Sequence, residues 1–139
     1  MVVIMAPKDN SNVLTPWSEM IQKKAQMNDF EIITKRVKYI NDKNYRDGHV
    51  KKCDLDVEMA LDLIKEKDNY DTIILFSGDG DLACVLRYLN KEYNKSAYVF
   101  AARNHFGEEL VDCKKDGVIR EIFFAEDFEY RLNRNRFRI

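Results

Sequence analysis

The sequence predicts an α/β domain in which helices cover a mainly parallel sheet, and three observations carry that expectation. Strand-like and helix-like segments alternate along the chain, as consecutive βα units do. Residues 71–76 form a short apolar run rich in branched side chains, fit for a strand buried on both faces, and helical spacing resumes at Leu82. With 139 residues, 45% of them hydrophobic and 12% aromatic, the chain can fill one core and is expected to form a single domain.

Each element has its own local reason. Residues 2–6 read as a first strand. Thr15 can cap a helix that has Pro16 at its first position and runs to about Asn28, with Trp17, Met20, Ile21, Lys24 and Met27 along one side. Residues 30–40 have the β-branched content of one strand, and residues 41–48 form a polar loop. His49-Val50-Lys51-Lys52-Cys53 makes a poor strand. A helix over residues 54–67 sets most of Leu55, Met59, Leu61, Leu63 and Ile64 on one face. After the strand at 71–76 come a helix through Tyr93, a strand over 96–102, a helix from about Gly107 to Lys114, a strand over 118–124 and a terminal helix from Glu126. No repeat or low-complexity segment interrupts this order.

Charge and cysteine usage narrow the function classes. The net charge of −1 provides no basic field over the whole domain, so any contact with nucleic acid must rest on local patches. One such patch is Lys35, Arg36, Lys38, Lys43, Arg46, Lys51 and Lys52; another is the tail with Arg131, Arg134, Arg136 and Arg138, for which a solvated face is the simpler reading. Cys53, Cys84 and Cys113 are odd in number and form no C-x-x-C pair, which suits reduced thiols in a cytoplasmic protein. The apolar start of the chain is too short to span a bilayer. His49 and His105 stand alone and read as surface or packing residues.

The chemistry concentrates in two acidic segments. Ser77-Gly78-Asp79-Gly80-Asp81 follows the strand at 71–76 directly, so two carboxylates sit at its carboxyl end, where parallel sheets place ligands. Two carboxylates around one glycine repel each other unless they are solvated or bridged by a cation, and hard oxygen ligands favour Mg²⁺ or Mn²⁺. The same residue types also make ordinary solvated turns. The second segment, residues 51–62, carries Asp54, Asp56, Glu58 and Asp62 at and after a helix start. Asp54 suits an N-cap and Glu58 the helix dipole. Asp56 and Asp62 are six residues apart, about 240° around a helix, so they cannot both enter one cluster. Asp56, in the first turn, can reach Asp79 and Asp81. Asp62 is left as a supporting acid.

Together these motifs resemble a known family. An acid-bearing helix segment, carried by residues 53–62 and ending in Ala60-x-Asp62, is followed by the Tyr-Asp-Thr-x-Ile-Leu-x-Ser-Gly-Asp-x-Asp run of residues 70–81, and residues 30–38 are similar to the strand the family places just before. The pattern is similar to the NYN domain of the PIN-like nuclease superfamily, the group that includes the LabA-like and DUF88 proteins. Leu82 stands where most members have Phe. The resemblance implies a Rossmann-like three-layer α/β/α fold and a metal-dependent ribonuclease. Asp56, Asp79 and Asp81 then take the places of family metal ligands, with Asp54, Asp62 and Ser77 beside them and Mg²⁺ or Mn²⁺ as cofactor.

The start of the chain departs from the family, which opens with a strand ending in Asp-x-x-Asn. The sequence offers two strands before the helix at 54, where the family has three. In one account residues 2–6 are the family's second strand and an N-terminal βα unit is lacking, so that a second copy of the chain could fill the gap as a homodimer. In the other, Asp9-Asn10-Ser11-Asn12 is the motif. Acids cannot attract RNA, so Lys35, Arg36, Lys38, Lys51 and Lys52 are the expected backbone contacts, with Tyr39 and Tyr45 between them as stacking platforms for single-stranded RNA. Two other readings compete: a non-catalytic module binding RNA or protein on the same scaffold, and a haloacid-dehalogenase-like phosphatase using Asp54-Leu55-Asp56. The second needs an apolar strand before Asp54.

Overall fold

The computed structural model describes residues 2–5, 16–35, 38–41, 49–52 and 55–132. The chain divides into two compact units, Met1–Leu55 and Asp56–Ile139.

In the first unit, strand β1 (Val2–Met5) pairs in parallel with β2 (Glu31–Thr34), Val3 opposite Ile32 and Ile4 opposite Ile33. Helix α1 (Pro16–Gln26) connects them, so the expected βαβ crossover is present. Proline at the helix's first position costs nothing, because that N–H has no intrahelical acceptor. The expected cap at Thr15 and the Asp9–Asn12 motif lie outside the described residues. The apolar stripe of α1 is only partly covered: Ile21 is half-buried, while Met20 and Met27 are exposed.

The single strand expected over 30–40 is corrected to two. β2 ends at Thr34, and β3 (Lys38–Asn41) belongs to a different ladder, an antiparallel pair with β4 (His49–Lys52). The weak-looking segment at 49–52 is therefore a strand, and among the described residues four strands, rather than the two expected, precede the helix that follows. A hairpin strand needs no apolar run on both faces. Its register places Ile40 opposite Val50 and Tyr39 opposite Lys51.

The second unit holds the core. Among the described residues, every fully buried side chain lies between Ile73 and Ile119. Helix α2 (Asp56–Lys65) leads through a 3₁₀ turn (Lys67–Asn69) into β5 (Thr72–Leu75). A second 3₁₀ turn (Gly80–Leu82) opens helix α3 (Ala83–Tyr93), followed by β6 (Ser96–Ala101), α4 (Glu108–Lys115) and β7 (Ile119–Phe124). The chain then turns through Ala125–Phe128 into α5 (Glu129–Leu132), so the expected terminal helix begins as a 3₁₀ turn. β5, β6 and β7 form a parallel sheet in that order, with Ile73 opposite Ala97 and Val99 opposite Ile122. A bulge at Arg120 shifts the β6–β7 register between Ala97 and Tyr98.

Local chemistry closes each βα unit. α3 ends at Asn94, whose left-handed backbone (φ 53°) lets its N–H and that of Lys95 return to the last carbonyls of the helix, while the Asn90 side chain donates to the Lys95 carbonyl at 2.7 Å. α4 ends the same way at Gly117, at φ 77°, with Val118 N–H on the Cys113 carbonyl. Tyr70 ties α2 to the sheet by donating its hydroxyl to the Leu63 carbonyl at 2.5 Å.

The core packs on one face of the sheet only. Ile73 and Leu75 of β5 meet Leu82, Leu86, Leu89 and Leu110, joined by Met59, Leu63 and Ile64 of α2. The other face of β5 departs from expectation: Ile74 is 57% and Phe76 65% exposed, so this strand is buried on one side, not two. Within this unit β5 is an edge strand. The open face carries an aromatic row in which Phe76 stacks on Phe100 at 5.0 Å, Phe100 on Phe123 at 4.7 Å, and Phe128 closes against both Phe100 and Phe123.

This asymmetry sets two expected outcomes. Leu86→Ala, at 1% exposure, should lower unfolding free energy by about 2–5 kcal/mol in urea denaturation, whereas Ile74→Thr should change it by about 0.5 kcal/mol or less. Cys84 is exposed, while Cys113 is enclosed with its thiol beside the Ala83 carbonyl, and burial pushes that thiol's pKa up. Iodoacetamide at neutral pH should therefore label Cys84 well before Cys113, as read by peptide mass spectrometry.

Candidate metal centre

The acid-bearing turn owes its shape to β5. The strand delivers Ser77 and Gly78 at its carboxyl end, and the backbone then bends into the 3₁₀ turn before α3. The Asp79 N–H donates to Ser77 Oγ at 3.1 Å, and Asp79 Oδ1 accepts from the Asp81 N–H at 3.0 Å, so Asp79 caps the turn. Ser77 thus acts on Asp79 through its backbone. α2 packs against α3 and against the Gly80–Leu82 turn, bringing its first residue to the same place.

The result is a convergence of three carboxylates. Asp56, Asp79 and Asp81 each offer an oxygen, and the three atoms lie within 4.8 Å of one another. Asp56 is half-buried; Asp79 and Asp81 are exposed. At such separations each pair of like charges repels by about 1 kcal/mol in water and about 3–4 kcal/mol at the effective dielectric of a protein surface. Opposite oxygen ligands of Mg²⁺ stand about 4.2 Å apart, so the spread of the three oxygens is close to what a hard divalent ion takes. The donor set, all carboxylate oxygen, fits that class of cation.

Other expected site residues fall elsewhere. Asp62 lies outside the group, as its helical angle requires; one of its oxygens is 3.9 Å from Lys65 Nζ, and the other is buried without a hydrogen-bond partner. Asp54, Arg36, Cys53 and Tyr45 lie outside the described residues. Lys35 is half-buried and Lys38 is exposed on β3, and Lys51 and Lys52 take β4 positions opposite Tyr39 and Lys38. The strand before Asp54 is an antiparallel hairpin strand bearing two lysines, not the apolar strand the phosphatase reading needs.

Sequence reasoning missed what holds the turn. The loop from β6 to α4 folds back through an Ala102–His105 bridge and lies directly against it. A Cβ at Gly78 would overlap the His105 carbonyl oxygen, and one at Gly107 would stand 2.8 Å from the Gly80 Cα and 2.9 Å from its nitrogen. The Gly107 N–H donates to the Gly78 carbonyl at 2.8 Å. Glu109, in the first turn of α4, places its carboxylate where a Gly80 side chain would be. The signal in the sequence was Gly-x-Gly on a strand-to-helix turn, a spacing that calls for close backbone approach. The exposed His105 acts here through its backbone.

The comparisons with known proteins now meet this geometry. The family model of the NYN domain matches residues 4–119, most of the chain. The chain belongs to the NYN domain family. This family is nuclease-like, and its model runs across the boundary between the two units. Over 60 residues the NYN chain is 32% identical to the low amplitude and bright protein LabA of Synechococcus elongatus, an alignment covering 43% of this chain and 32% of LabA. It therefore spans about a third of the curated relative it matches. A solved structure from Vibrio parahaemolyticus, a protein of unknown function, superposes with a TM-score of 0.65 at 23% identity, covering 91% of the NYN chain and 68% of the other, and supports the PIN-like α/β fold. Among the described residues, no helix is long and apolar enough to cross a membrane.

The glycine contacts carry a prediction. Gly78→Ala should destabilise the NYN chain by about 1–3 kcal/mol, because the obstacle is backbone that cannot swing away. Gly117→Ala, with open space but a left-handed backbone, should cost about 1 kcal/mol. Urea titrations followed by circular dichroism measure both.

Proposed function

We propose that this NYN domain is a metal-dependent ribonuclease that cleaves single-stranded RNA at the Asp56, Asp79 and Asp81 centre. The observation that carries the reading is the convergence of these three carboxylates, from two different elements, at the carboxyl end of a parallel strand in a nuclease-like family. Bound there, Mg²⁺ or Mn²⁺ would supply a Lewis acid for the phosphodiester and a water of lowered pKa.

The chain's own residues do the rest. Asp56, on α2, and Asp79 and Asp81, on the turn, bring three carboxylates to one place, an arrangement that favours a bound cation. Ser77 and the Asp81 N–H orient the Asp79 carboxylate, leaving its second oxygen available. The acids repel phosphate, so substrate affinity must come from elsewhere. The β3–β4 hairpin offers Lys38, Lys51 and Lys52, with Lys35 and Arg36 just before it, as phosphate contacts. The strand register sets positions 38 and 52 directly opposite each other, so the basic residues of the hairpin fall at neighbouring backbone positions. We read the two units as parts of one domain, since the family match spans both, and the reduced thiols as those of a cytoplasmic protein. A homodimer is the assembly we infer for a chain with so short a sheet.

The test is cleavage of a labelled single-stranded RNA with Mn²⁺, Mg²⁺ or EDTA. Cleavage should require the metal, and Asp79→Asn should reduce it by about 100-fold or more while leaving the fold intact by circular dichroism. RNA binding without cleavage under every metal condition would instead identify a non-catalytic binding module. Lys51→Ala combined with Lys52→Ala should weaken RNA affinity and flatten its salt dependence, measured by fluorescence anisotropy at several salt concentrations.

A further inference from the structure

The loops at the carboxyl edge of the second unit's sheet are poor in the charge that RNA needs. Those that follow β5, β6 and β7 are residues 76–82, 102–107 and 125–128. They carry Asp79, Asp81, Glu126 and Asp127, and Arg103 is their one residue with a permanent positive charge. β7 stands two strands from β5, about 10 Å along this edge.

Arg103 is fixed from two sides. Its guanidinium carbon lies 4.5 Å from the centroid of the Phe124 ring, its Nη2 donates to Asp127 Oδ1 at 2.5 Å, and its backbone N–H donates to Glu126 Oε1 at 3.1 Å. Phe124 also meets Phe106 edge to face at 5.6 Å, so both ends of the loop rest on one ring. The same loop lies against the acidic turn, with the His105 carbonyl at Gly78 and the Gly107 N–H on the Gly78 carbonyl. One loop therefore joins the arginine to the backbone that carries Asp79.

Tying the loop down does not use up this side chain. It is 52% exposed, and of the several N–H donors of its guanidinium one is taken, by Asp127. An ion pair so open to solvent adds little to stability. What it does is hold a guanidinium in one place, so that little side-chain freedom remains to be lost when the other donors meet an anion.

We propose that Arg103 is a phosphate contact for single-stranded RNA, holding the backbone of the strand at the carboxyl edge, close to acids that repel it. This role rests on RNA as the ligand in the proposed function, but not on cleavage. The guanidinium offers its unused donors to a phosphate oxygen, as arginine does in bidentate phosphate recognition. Phe124 keeps it over the edge, and Asp127 competes with the phosphate for its charge.

That competition lets two variants be read against each other. Affinity of the intact chain for a labelled single-stranded RNA is measured by fluorescence anisotropy at several salt concentrations, in EDTA so that the strand stays whole, with the fold checked by circular dichroism. Arg103→Ala should weaken binding by about fivefold or more and reduce the slope of log affinity against log salt by about 0.7, the effect of losing one contact to a single strand. Arg103→Lys should keep the slope. Asp127→Asn should strengthen binding by about twofold or more, and adding Arg103→Ala should abolish the gain. An arginine that serves the loop alone would make Arg103→Ala and Asp127→Asn weaken binding alike; that result, or wild-type affinity and slope in Arg103→Ala, would overturn the role of Arg103. Should the wild type bind RNA with these dependences yet cleave it with no metal, the ribonuclease reading would fail and the Arg103 contact would stand. Absence of RNA binding by the wild type, in EDTA and in Mg²⁺, would overturn both.

Discussion

The close approach of the Ser77–Asp81 turn to the loop entering α4 is the constraint on which the acidic centre depends. Gly78 lies against the His105 carbonyl, Gly107 against Gly80, and a hydrogen bond from Gly107 to Gly78 closes the contact. Because the opposing surfaces are backbone, they cannot adjust as flexible side chains would. α2 completes the arrangement from the other side by packing on α3 and on the same turn. Asp56, Asp79 and Asp81 are therefore held together by packing, against their mutual repulsion.

That opposition between packing and charge is typical of a functional site. The second unit buries a cluster of leucines, valines and alanines on one face of the sheet, with Leu89, Val99 and Leu110 at 0% exposure, and this packing supplies the rigidity. The acids sit at the carboxyl edge, where the parallel strands end and the backbone turns outward into helices. Local rules are broken where they would otherwise disperse like charges, which is where a folded domain most often departs from its own consistency.

Membership of the NYN family agrees with this architecture at the level of fold and of element order around the acidic turn. The first unit adds the parallel β1–β2 pair and the basic hairpin. The hairpin gains its interest from register: an isolated reading of its sequence shows scattered lysines, but strand pairing sets Lys38 opposite Lys52 and Lys51 opposite Tyr39.

The sequence by itself determined the parts that rest on local physics. The apolar run before Ser77 and the alternation of helical and strand-like segments after Leu82 were enough to place β5, α3, β6, α4 and β7 in order, and the helical angle between Asp56 and Asp62 was enough to separate them. Only tertiary structure decided the rest, because it depends on contacts between residues distant in the chain. Residues 31–34 and 38–41 fall within one strand-like stretch of sequence, yet one pairs with β1 and the other with β4, and nothing local distinguishes a strand by its partner. The pattern of residues 72–76 is apolar throughout, but whether both faces are covered depends on what packs there, and Ile74 and Phe76 remain open. Glu109 and Gly107 looked like an ordinary helix start; their meeting with Gly80 exists only once β5 and β6 lie side by side and bring the two loops to one edge.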